Sequence, residues 1–158
     1  LRTIQKFKGL QYRQQIVLNK KNLIIINDSK STSFASSISI LKINSNIYWL
    51  LGGIYKKNDK LKLPKKYCKN IKAFIFGKET KFFNKELKDK IPYENFTNLK
   101  VALKRIIKLL KKDNLAHRTI IFSPSAASFD SFKNFEERGL YFNKLIKKYF
   151  HEIKKLNI

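Results

Sequence analysis

Short apolar runs of strand length alternate with amphipathic runs of helical spacing along this chain, and this alternation constrains the fold more than any other feature. A strand, a helix and a second strand in succession form a right-handed crossover, which places both strands parallel in one sheet. Repeated units of this kind cover both faces of the sheet with helices. The pattern therefore predicts an α/β fold with a Rossmann-like, mostly parallel sheet.

The predicted elements begin at an antiparallel hairpin. Apolar runs at 15–18 and 22–26, with a polar segment at 19–21 between them, predict this hairpin. Further strands are predicted at 47–51, 73–76, 92–96 and 119–122, and helices from Phe34, near Pro64, at 78–88, at 97–112 and from Asn134 onward. A chain of 158 residues suits one core, so we expect residues 1–158 to form a single domain.

A loop of small residues between the last strand and the last helix is a candidate ligand site. The strand should end at Ser123-Pro124, because proline has no N–H for the ladder. Residues 125–128 are small enough for backbone amides to approach a ligand. Asn134 and Glu137 have the spacing of a capping box, and a helix N terminus attracts anions. The same stretch also fits an ordinary connection between a strand and a helix.

Three loops follow predicted parallel strands: 28–33, 52–57 and 123–129. Ligands of open α/β sheets bind at the carboxyl ends of the strands, so we expect these loops to share one edge. Neither G-x-G-x-x-G nor G-x-x-x-x-G-K-[ST] occurs in the chain. Any nucleotide must therefore be held mainly by residues outside this sequence.

The net charge of +24 raises the possibility of a nucleic-acid partner. Most of the 35 basic residues are lysines spread through every segment, whereas the reading of base edges relies on arginine. We therefore expect no nucleic-acid partner. A basic nucleic-acid-binding α/β module remains the alternative.

The low cysteine content and the lack of a long apolar run predict a cytoplasmic location. A single cysteine, Cys68, excludes an internal disulfide and fits the reducing cytoplasm. The longest apolar run, 47–55, is far shorter than the about 20 residues that cross a bilayer, so we expect no membrane partner. Because the chain opens on Leu1 and contains no methionine, we expect it to be a piece of a longer protein.

Three motifs follow one another in an order that resembles a known family. They are Asn27-Asp28-Ser29-Lys30-x-Thr32, then Leu51-Gly52-Gly53-x-x-Lys56, then Ser123-Pro124-x-x-Ala127-Ser128-Phe129-Asp130-x-Phe132-x-Asn134-Phe135-Glu136-x-Arg138-Gly139. With Arg13 upstream, they resemble the C-terminal domain of the Mur ligases, and in particular of the members that use D-glutamate. The resemblance covers the chain from about residue 11 to residue 142.

The resemblance implies a domain of an ATP-dependent ligase that adds D-glutamate to UDP-N-acetylmuramoyl-L-alanine during peptidoglycan precursor synthesis. It implies that an N-terminal UDP-binding domain and a central ATPase domain are absent from this chain. ATP and Mg²⁺ would be bound mainly by the central domain, which closes against this one. The fragment alone would therefore be inactive.

Carried over position by position, the resemblance assigns two groups of residues and no catalytic or metal-binding residue. D-glutamate would be bound by Thr32, Lys56, Ser128 and the backbone amide of Phe135, with Phe129 lining the pocket. The nucleotide would be reached by Arg13, Asp28 and Lys30. A lysine charge, hydroxyl donors and a helix N terminus all suit carboxylates. On spacing alone, each residue also fits a plain role: Asp28 or Thr32 as a helix cap, Lys56 as a solvated charge and Ser128 as a turn serine.

The chain departs from the family pattern at a few positions. Tyr12 stands where a histidine is usual before Arg13, Ser33 stands where asparagine is common, and Ser125-Ala126 replaces a small residue followed by cysteine. These changes leave the predicted carboxylate ligands intact. A free-standing amino-acid-binding domain is a further alternative, and it would require a complete pocket within these residues.

Overall fold

One six-stranded sheet organises the part of the chain that the computed structural model describes, residues 10–112 and 117–155. Its strands are β1 (Gln15–Lys20), β2 (Leu23–Asn27), β3 (Ile47–Gly52), β4 (Ile71–Phe76), β5 (Tyr93–Phe96) and β6 (Arg118–Phe122). Their order is β1-β2-β6-β3-β4-β5. Only the β1–β2 pair is antiparallel among these strands. The predicted mostly parallel sheet with an antiparallel hairpin is confirmed.

Helices cover both faces of this sheet. They are α1 (Phe34–Ile43), α2 (Lys65–Cys68), α3 (Thr80–Leu87), α4 (Leu99–Leu110), α5 (Phe135–Lys148) and α6 (Phe150–Lys154). On one face, α1 to α3 pack around Trp49, which is completely buried. On the other face, α4 to α6 pack around Phe74 and Phe122. Within the described ranges, each helix is too short or too polar to serve as a membrane span.

The hairpin turn differs from its prediction. The polar segment 19–21 was expected to be the turn, but β1 continues to Lys20, and Asn19 and Lys20 pair with Ile24 and Leu23. The turn consists of residues 21 and 22. Because β1 lies at the edge of the sheet, its polar side chains can face water while its backbone remains in the ladder. Polarity alone therefore placed the end of the strand too early.

The sequence predicts one helix from Asn134 onward, but the structure has two helices there, α5 and α6. The chain leaves the α-helical region at Tyr149 (φ −92°, ψ 7°), between α5 and α6. The apolar face is nevertheless continuous across this break, because all five residues predicted to share it lie buried in one cluster: Phe142, Leu145, Ile146, Tyr149 and Ile153.

Candidate functional site

The three predicted ligand loops emerge side by side from the sheet. Residues 28–33 follow β2, residues 123–129 follow β6, and the loop 52–57 begins at the last residue of β3. These strands are parallel neighbours in the order β2-β6-β3, so their carboxyl ends lie at the same edge. The sheet order alone therefore brings together segments that are distant in the sequence.

Two of these loops are joined by backbone hydrogen bonds. Ile54 N donates to Ala127 O at 3.0 Å, and Ala127 N donates to Ile54 O at 2.9 Å. Gly53 lies beside this pairing at φ 126°, and a Cβ added there would be 2.3 Å from Ala127 O. Glycine is therefore required for the close approach. This pairing fixes Lys56 and Ser128, each within two residues of it, at the same edge of the sheet.

The loop that carries Lys56 is also tied to the start of α1. Lys56 is exposed, and its carbonyl oxygen accepts a hydrogen bond from Asp59 N at 3.0 Å. Just before it, the ring of Tyr55 stacks on Phe82 of α3, with ring centres 4.0 Å apart. Asp59 Oδ2 accepts a hydrogen bond from Phe34 N at 2.8 Å. Residues 55–59 therefore lie close to the segment that contains Thr32.

Asp59 changes the electrostatics expected for this region. The resemblance assigns only hydrogen-bond donors to the D-glutamate carboxylates, and it places Asp28 with the nucleotide residues. The structure places the carboxylate of Asp59 at the first turn of α1. The cause is local, because the first N–H groups of a helix need an external acceptor and favour a negative one. Asp59 lies three residues beyond the motif that ends at Lys56, so the motif gave no signal for it.

The N-cap of α1 is Ser33, so neither Asp28 nor Thr32 caps this helix. Ser33 Oγ accepts from Ser36 N at 3.3 Å, and Ser36 Oγ accepts from Ser33 N at 3.1 Å. This reciprocal pair is a capping box built from two serines. Thr32 is exposed immediately before the cap.

Ser128 and Phe129 lie in one tight turn but differ in exposure. Ser128 is 3% exposed, and its carbonyl oxygen accepts from Ser131 N at 3.2 Å and Phe132 N at 2.9 Å. Phe129 is 71% exposed, which is unusual for a large apolar side chain. Phe132 packs against Tyr141, with ring centres 5.5 Å apart. Phe132 therefore braces the loop, and Phe129 projects from it.

Phe135 is the first residue of α5, at the capped end that the sequence predicted. Asn134 Oδ1 accepts from Glu137 N at 2.8 Å. Glu137 Oε2 accepts from Lys133 N at 2.6 Å, one residue before the position expected for a capping box. The Phe135 carbonyl accepts from Ser29 Oγ at 2.8 Å. This last contact holds the start of α5 against the loop that follows β2.

The three predicted nucleotide residues line one shallow depression of about 280 Å³, together with Gln14, Ser31 and Ser36. Asp28 is 6% exposed at its base, where it accepts from Gln14 N at 3.1 Å and from Ser123 Oγ at 2.7 Å. Burial raises the pKa of Asp28, and these two hydrogen bonds partly oppose the rise. The Lys30 ammonium lies 5.1 Å from the centre of the Phe135 ring. The structure therefore brings Arg13, Asp28 and Lys30 together.

A buried chain of serine hydroxyls extends from Asp28 into the protein. Ser123 Oγ donates to Asp28, and Ser37 Oγ lies 2.7 Å from Ser123 Oγ. Ser37 Oγ also lies 2.6 Å from the hydroxyls of Ser31 and Ser125. Each hydroxyl has one hydrogen, so with Asp28 ionised Ser37 donates to Ser123 and accepts from the other two. No motif predicted this network, because its serines come from two stretches that are distant in the sequence, residues 31–37 and 123–125.

Arg138 connects two of the site loops to α5. It is 1% exposed, and it donates from Nη1 to Ala126 O at 2.9 Å, from Nη2 to Ser29 O at 2.8 Å and from Nε to Ser29 Oγ at 3.2 Å. Burial lowers the pKa of Arg138 to about 10, and the charge of Asp130 opposes this effect. Arg138 occurs in the third motif, but the resemblance assigns no role to it. Its spacing from Phe142 and Leu145 places it on the apolar face of α5, and this signal could have identified it.

Tyr12, a departure from the family pattern, has a structural role here. A Cβ added at Gly139 would be 2.3 Å from the ring of Tyr12, so this ring packs directly on the backbone of α5. The Tyr12 carbonyl accepts from Lys30 N at 3.0 Å. These contacts fix the segment that carries Arg13. Across residues 10–112 and 117–155, no group of three histidine, cysteine or acidic side chains could hold a metal ion.

Known proteins match this chain over most of its length. It is 36% identical over 155 residues to the UDP-N-acetylmuramoylalanine–D-glutamate ligase of Rickettsia felis, and this match covers 98% of this chain and 34% of the relative. It is 32% identical over 136 residues to the ligase of the same name from Rhizobium meliloti, and this match covers 86% of this chain and 29% of the relative. The chain therefore spans about a third of the length of these curated relatives. No family model matches it.

A solved structure supports the fold. The MurF ligase of Thermotoga maritima, in complex with ADP, matches 90% of this chain and 33% of its own chain, with a TM-score of 0.51 and 16% sequence identity. At this identity the match concerns the fold alone. The sequence relatives and the fold agree with the resemblance read from the three motifs. The chain therefore belongs to the Mur ligase family, and it corresponds to a C-terminal part of those enzymes.

Proposed function

We propose that this chain is the amino-acid-binding C-terminal domain of a cytoplasmic, ATP-dependent ligase that joins D-glutamate to UDP-N-acetylmuramoyl-L-alanine. In this reaction ATP phosphorylates the alanyl carboxylate, and the amine of D-glutamate attacks the acyl phosphate. An amide bond forms, and inorganic phosphate leaves. The names of the relatives support this substrate. The UDP-binding and central ATPase domains would belong to the remainder of the parent protein.

The proposed D-glutamate site lies between the joined loops. Lys56 would supply a positive charge, Thr32 and Ser128 hydroxyl donors, and Phe135 an amide in the first turn of α5, where N–H groups have no partner within the helix. Exposed Phe129 would cover the bound amino acid when the central domain closes. Asp59 already accepts from the first turn of α1, so the two substrate carboxylates would bind toward Lys56 and α5.

The depression around Asp28 fits part of a nucleotide. Each carboxylate oxygen of Asp28 accepts one hydrogen bond and keeps a second lone pair, which a ribose hydroxyl can use. Arg13 and Lys30 add positive charge at the rim, suited to phosphate. A depression of about 280 Å³ is too small for a whole nucleotide, so the central domain would hold the rest.

Magnesium does not fit the described residues of this domain as a bound cofactor. Within the described ranges, no cluster of three acidic, histidine or cysteine side chains could provide its ligands, although Mg²⁺ prefers carboxylate and phosphate oxygens. We therefore assign Mg²⁺ to the central domain and to the phosphates of ATP. The residues of this chain contribute binding and positioning only.

The observation that carries this proposal is the mutual attachment of the loops. The Lys56 loop contacts the Ser128 loop through Ile54 and Ala127, and it contacts the start of α1 through Asp59. Such attachments restrain segments that are distant in the sequence, as the binding of one small dicarboxylate by donors from several loops would require. This arrangement suits a binding site that is largely formed before the substrate arrives.

A nucleic-acid-binding role receives less support from the arrangement of lysines. Exposed lysines occur on α3, at Lys81 and Lys85, and on α4, at Lys104 and Lys108. These helices cover opposite faces of the sheet. A nucleic-acid groove would require lysines gathered on one face with exposed aromatic rings between them.

The test is amino-acid-dependent phosphate release by the full-length parent protein. With ATP, Mg²⁺ and UDP-N-acetylmuramoyl-L-alanine present, we expect turnover with D-glutamate and little with L-glutamate or D-aspartate. The 158-residue chain alone, under the same conditions, should match a buffer blank. Equal turnover with the other amino acids would refute the proposed substrate, and turnover by the fragment would refute its role as a binding domain.

A further inference from the structure

A second cavity lies at the opposite edge of the sheet from the loops described above. It has a volume of about 570 Å³ and is lined by the last turns of α4 and by the region where α5 meets α6. Helix α4 follows β5 and ends before β6 begins, so its C-terminal end lies at the amino ends of the strands. The cavity is therefore separate from the proposed D-glutamate and nucleotide sites.

The walls of this cavity are strongly basic. Four lysines line it: Lys104, Lys108, Lys111 and Lys112. Glu152 is the one acidic lining residue, and it pairs with Lys111 at 2.7 Å. Lys104 and Lys108 lie on α4, about 6 Å apart along its axis at 1.5 Å of rise per residue, and Lys111 and Lys112 directly follow the end of the helix. Four positive charges spread along this wall suit two or three linked phosphate groups better than one.

Tyr149, which also lines the cavity, carries a buried hydroxyl without a partner among the described residues. Tyr149 is 6% exposed, and its OH has no hydrogen-bond partner among the described residues. Lysines near the C-terminal end of a helix interact favourably with the helix dipole, so their presence there needs no ligand. The dipole does not account for the unpartnered hydroxyl of Tyr149. An unpartnered buried polar group is energetically unfavourable, so such a group calls for an explanation.

We propose that this cavity binds a small oligophosphate, a compound with two or three linked phosphate groups. Lys104, Lys108 and Lys112 neutralise its charges, and the hydroxyl of Tyr149 donates to one of its oxygens. Burial and the nearby Glu152 carboxylate raise the pKa of the Tyr149 phenol, which keeps this donor protonated. Binding here is independent of the reaction at the other edge of the sheet.

The test uses the 158-residue chain, tripolyphosphate as the probe and amide NMR shifts in 150 mM salt. We expect saturable shifts at residues 108–112 and 149–153. Tyr149→Phe keeps the ring and removes only the hydroxyl, and it should weaken binding about fivefold, as expected for one lost hydrogen bond. Glu152→Gln should tighten binding, because it frees Lys111 from its ion pair.

A matched pair of charge changes separates a site from general attraction to a basic protein. Lys104→Ala with Lys108→Ala should weaken binding at least tenfold. Lys81→Ala with Lys85→Ala removes the same charge at the same helical spacing on α3 and should change it less than twofold. Equal losses in the two pairs, non-saturating shifts or shifts centred on residues 28–33 would each overturn the proposal. Lys30→Ala should leave binding at this cavity intact whether or not the ligase function is correct.

Discussion

Arg138 donates two hydrogen bonds to Ser29, at 2.8 Å to its carbonyl oxygen and at 3.2 Å to its hydroxyl, across 109 positions of sequence. Ser29 also contacts the start of α5, because its hydroxyl donates a hydrogen bond to the carbonyl oxygen of Phe135 at 2.8 Å. The buried guanidinium thus fixes the loop between Asp28 and Thr32 against the helix whose first amide we assign to D-glutamate. Positions in the site therefore depend on a residue that need not contact the ligand.

Arg138→Lys should lower the free energy of unfolding by about 2–4 kcal/mol, because a lysine head cannot span three acceptors on two loops. Urea unfolding of the 158-residue chain measures this change. Arg105→Lys is the matched control, since Arg105 pairs with Glu94 at the surface, where solvent screens the interaction. Similar losses in both variants would contradict the role of Arg138 in joining the loops.

Lys56→Ala in the full-length parent should raise the KM for D-glutamate about 10-fold or more, since a charge-assisted carboxylate contact contributes about 1.5–3 kcal/mol. The KM for ATP should change little. Steady-state kinetics with each substrate varied separately provide the measurement. Lys57→Ala is the control, because it removes the neighbouring exposed charge. An effect confined to ATP would move Lys56 out of the amino-acid site.

Asp28→Asn should make the isolated domain at least as stable as the wild type at pH 7. Burial raises the folded pKa of Asp28 above its ordinary value of 3.8, so the ionised carboxylate reduces stability at pH values above the folded pKa. An asparagine can still accept from Gln14 N and donate to Ser123 Oγ. The advantage of the variant should shrink as the pH falls toward the ordinary pKa.

Urea unfolding of both proteins between pH 7 and pH 4 checks this expectation. An advantage that grows on acidification would mean that the folded pKa of Asp28 is depressed. In the parent enzyme the same variant should raise the KM for ATP, because the neutral amide attracts ribose hydroxyls less strongly. An unchanged KM for ATP would remove Asp28 from the nucleotide site without affecting the stability result.

Gly53→Ala should destabilise the domain more than Gly77→Ala. Both glycines have positive φ, 126° and 100°, which costs an alanine about 1–2 kcal/mol. At Gly53 the added Cβ would also lie 2.3 Å from Ala127 O, whereas at Gly77 its nearest neighbour would be Asp130 Oδ2 at 3.4 Å. Thermal unfolding of both variants gives the difference. Equal shifts in Tm would show that the contact between the loops at Gly53 adds nothing to stability.

The sequence by itself determined the class of fold and the order of its elements. Alternating apolar runs give strands, helical spacing gives the amphipathic faces, and crossover connections through the helices then make the sheet mostly parallel. Local signals also located the Asn134 cap of α5 and the small-residue loop before it. The three motifs led to the family, because they preserve residue types in a fixed order. All of these features depend on neighbours a few positions apart, or on a pattern that can be read along the chain.

Only the tertiary structure decided which distant groups meet. The insertion of Arg138 between Ser29 and Ala126, the serine hydroxyls beside Asp28 and the carboxylate of Asp59 at Phe34 join segments from different parts of the chain. Sequence spacing carries no record of these contacts, because they follow from sheet order and from the need of buried donors and acceptors for partners. The pattern of the chain therefore determined which loops share one edge of the sheet, and packing determined the electrostatics of that edge.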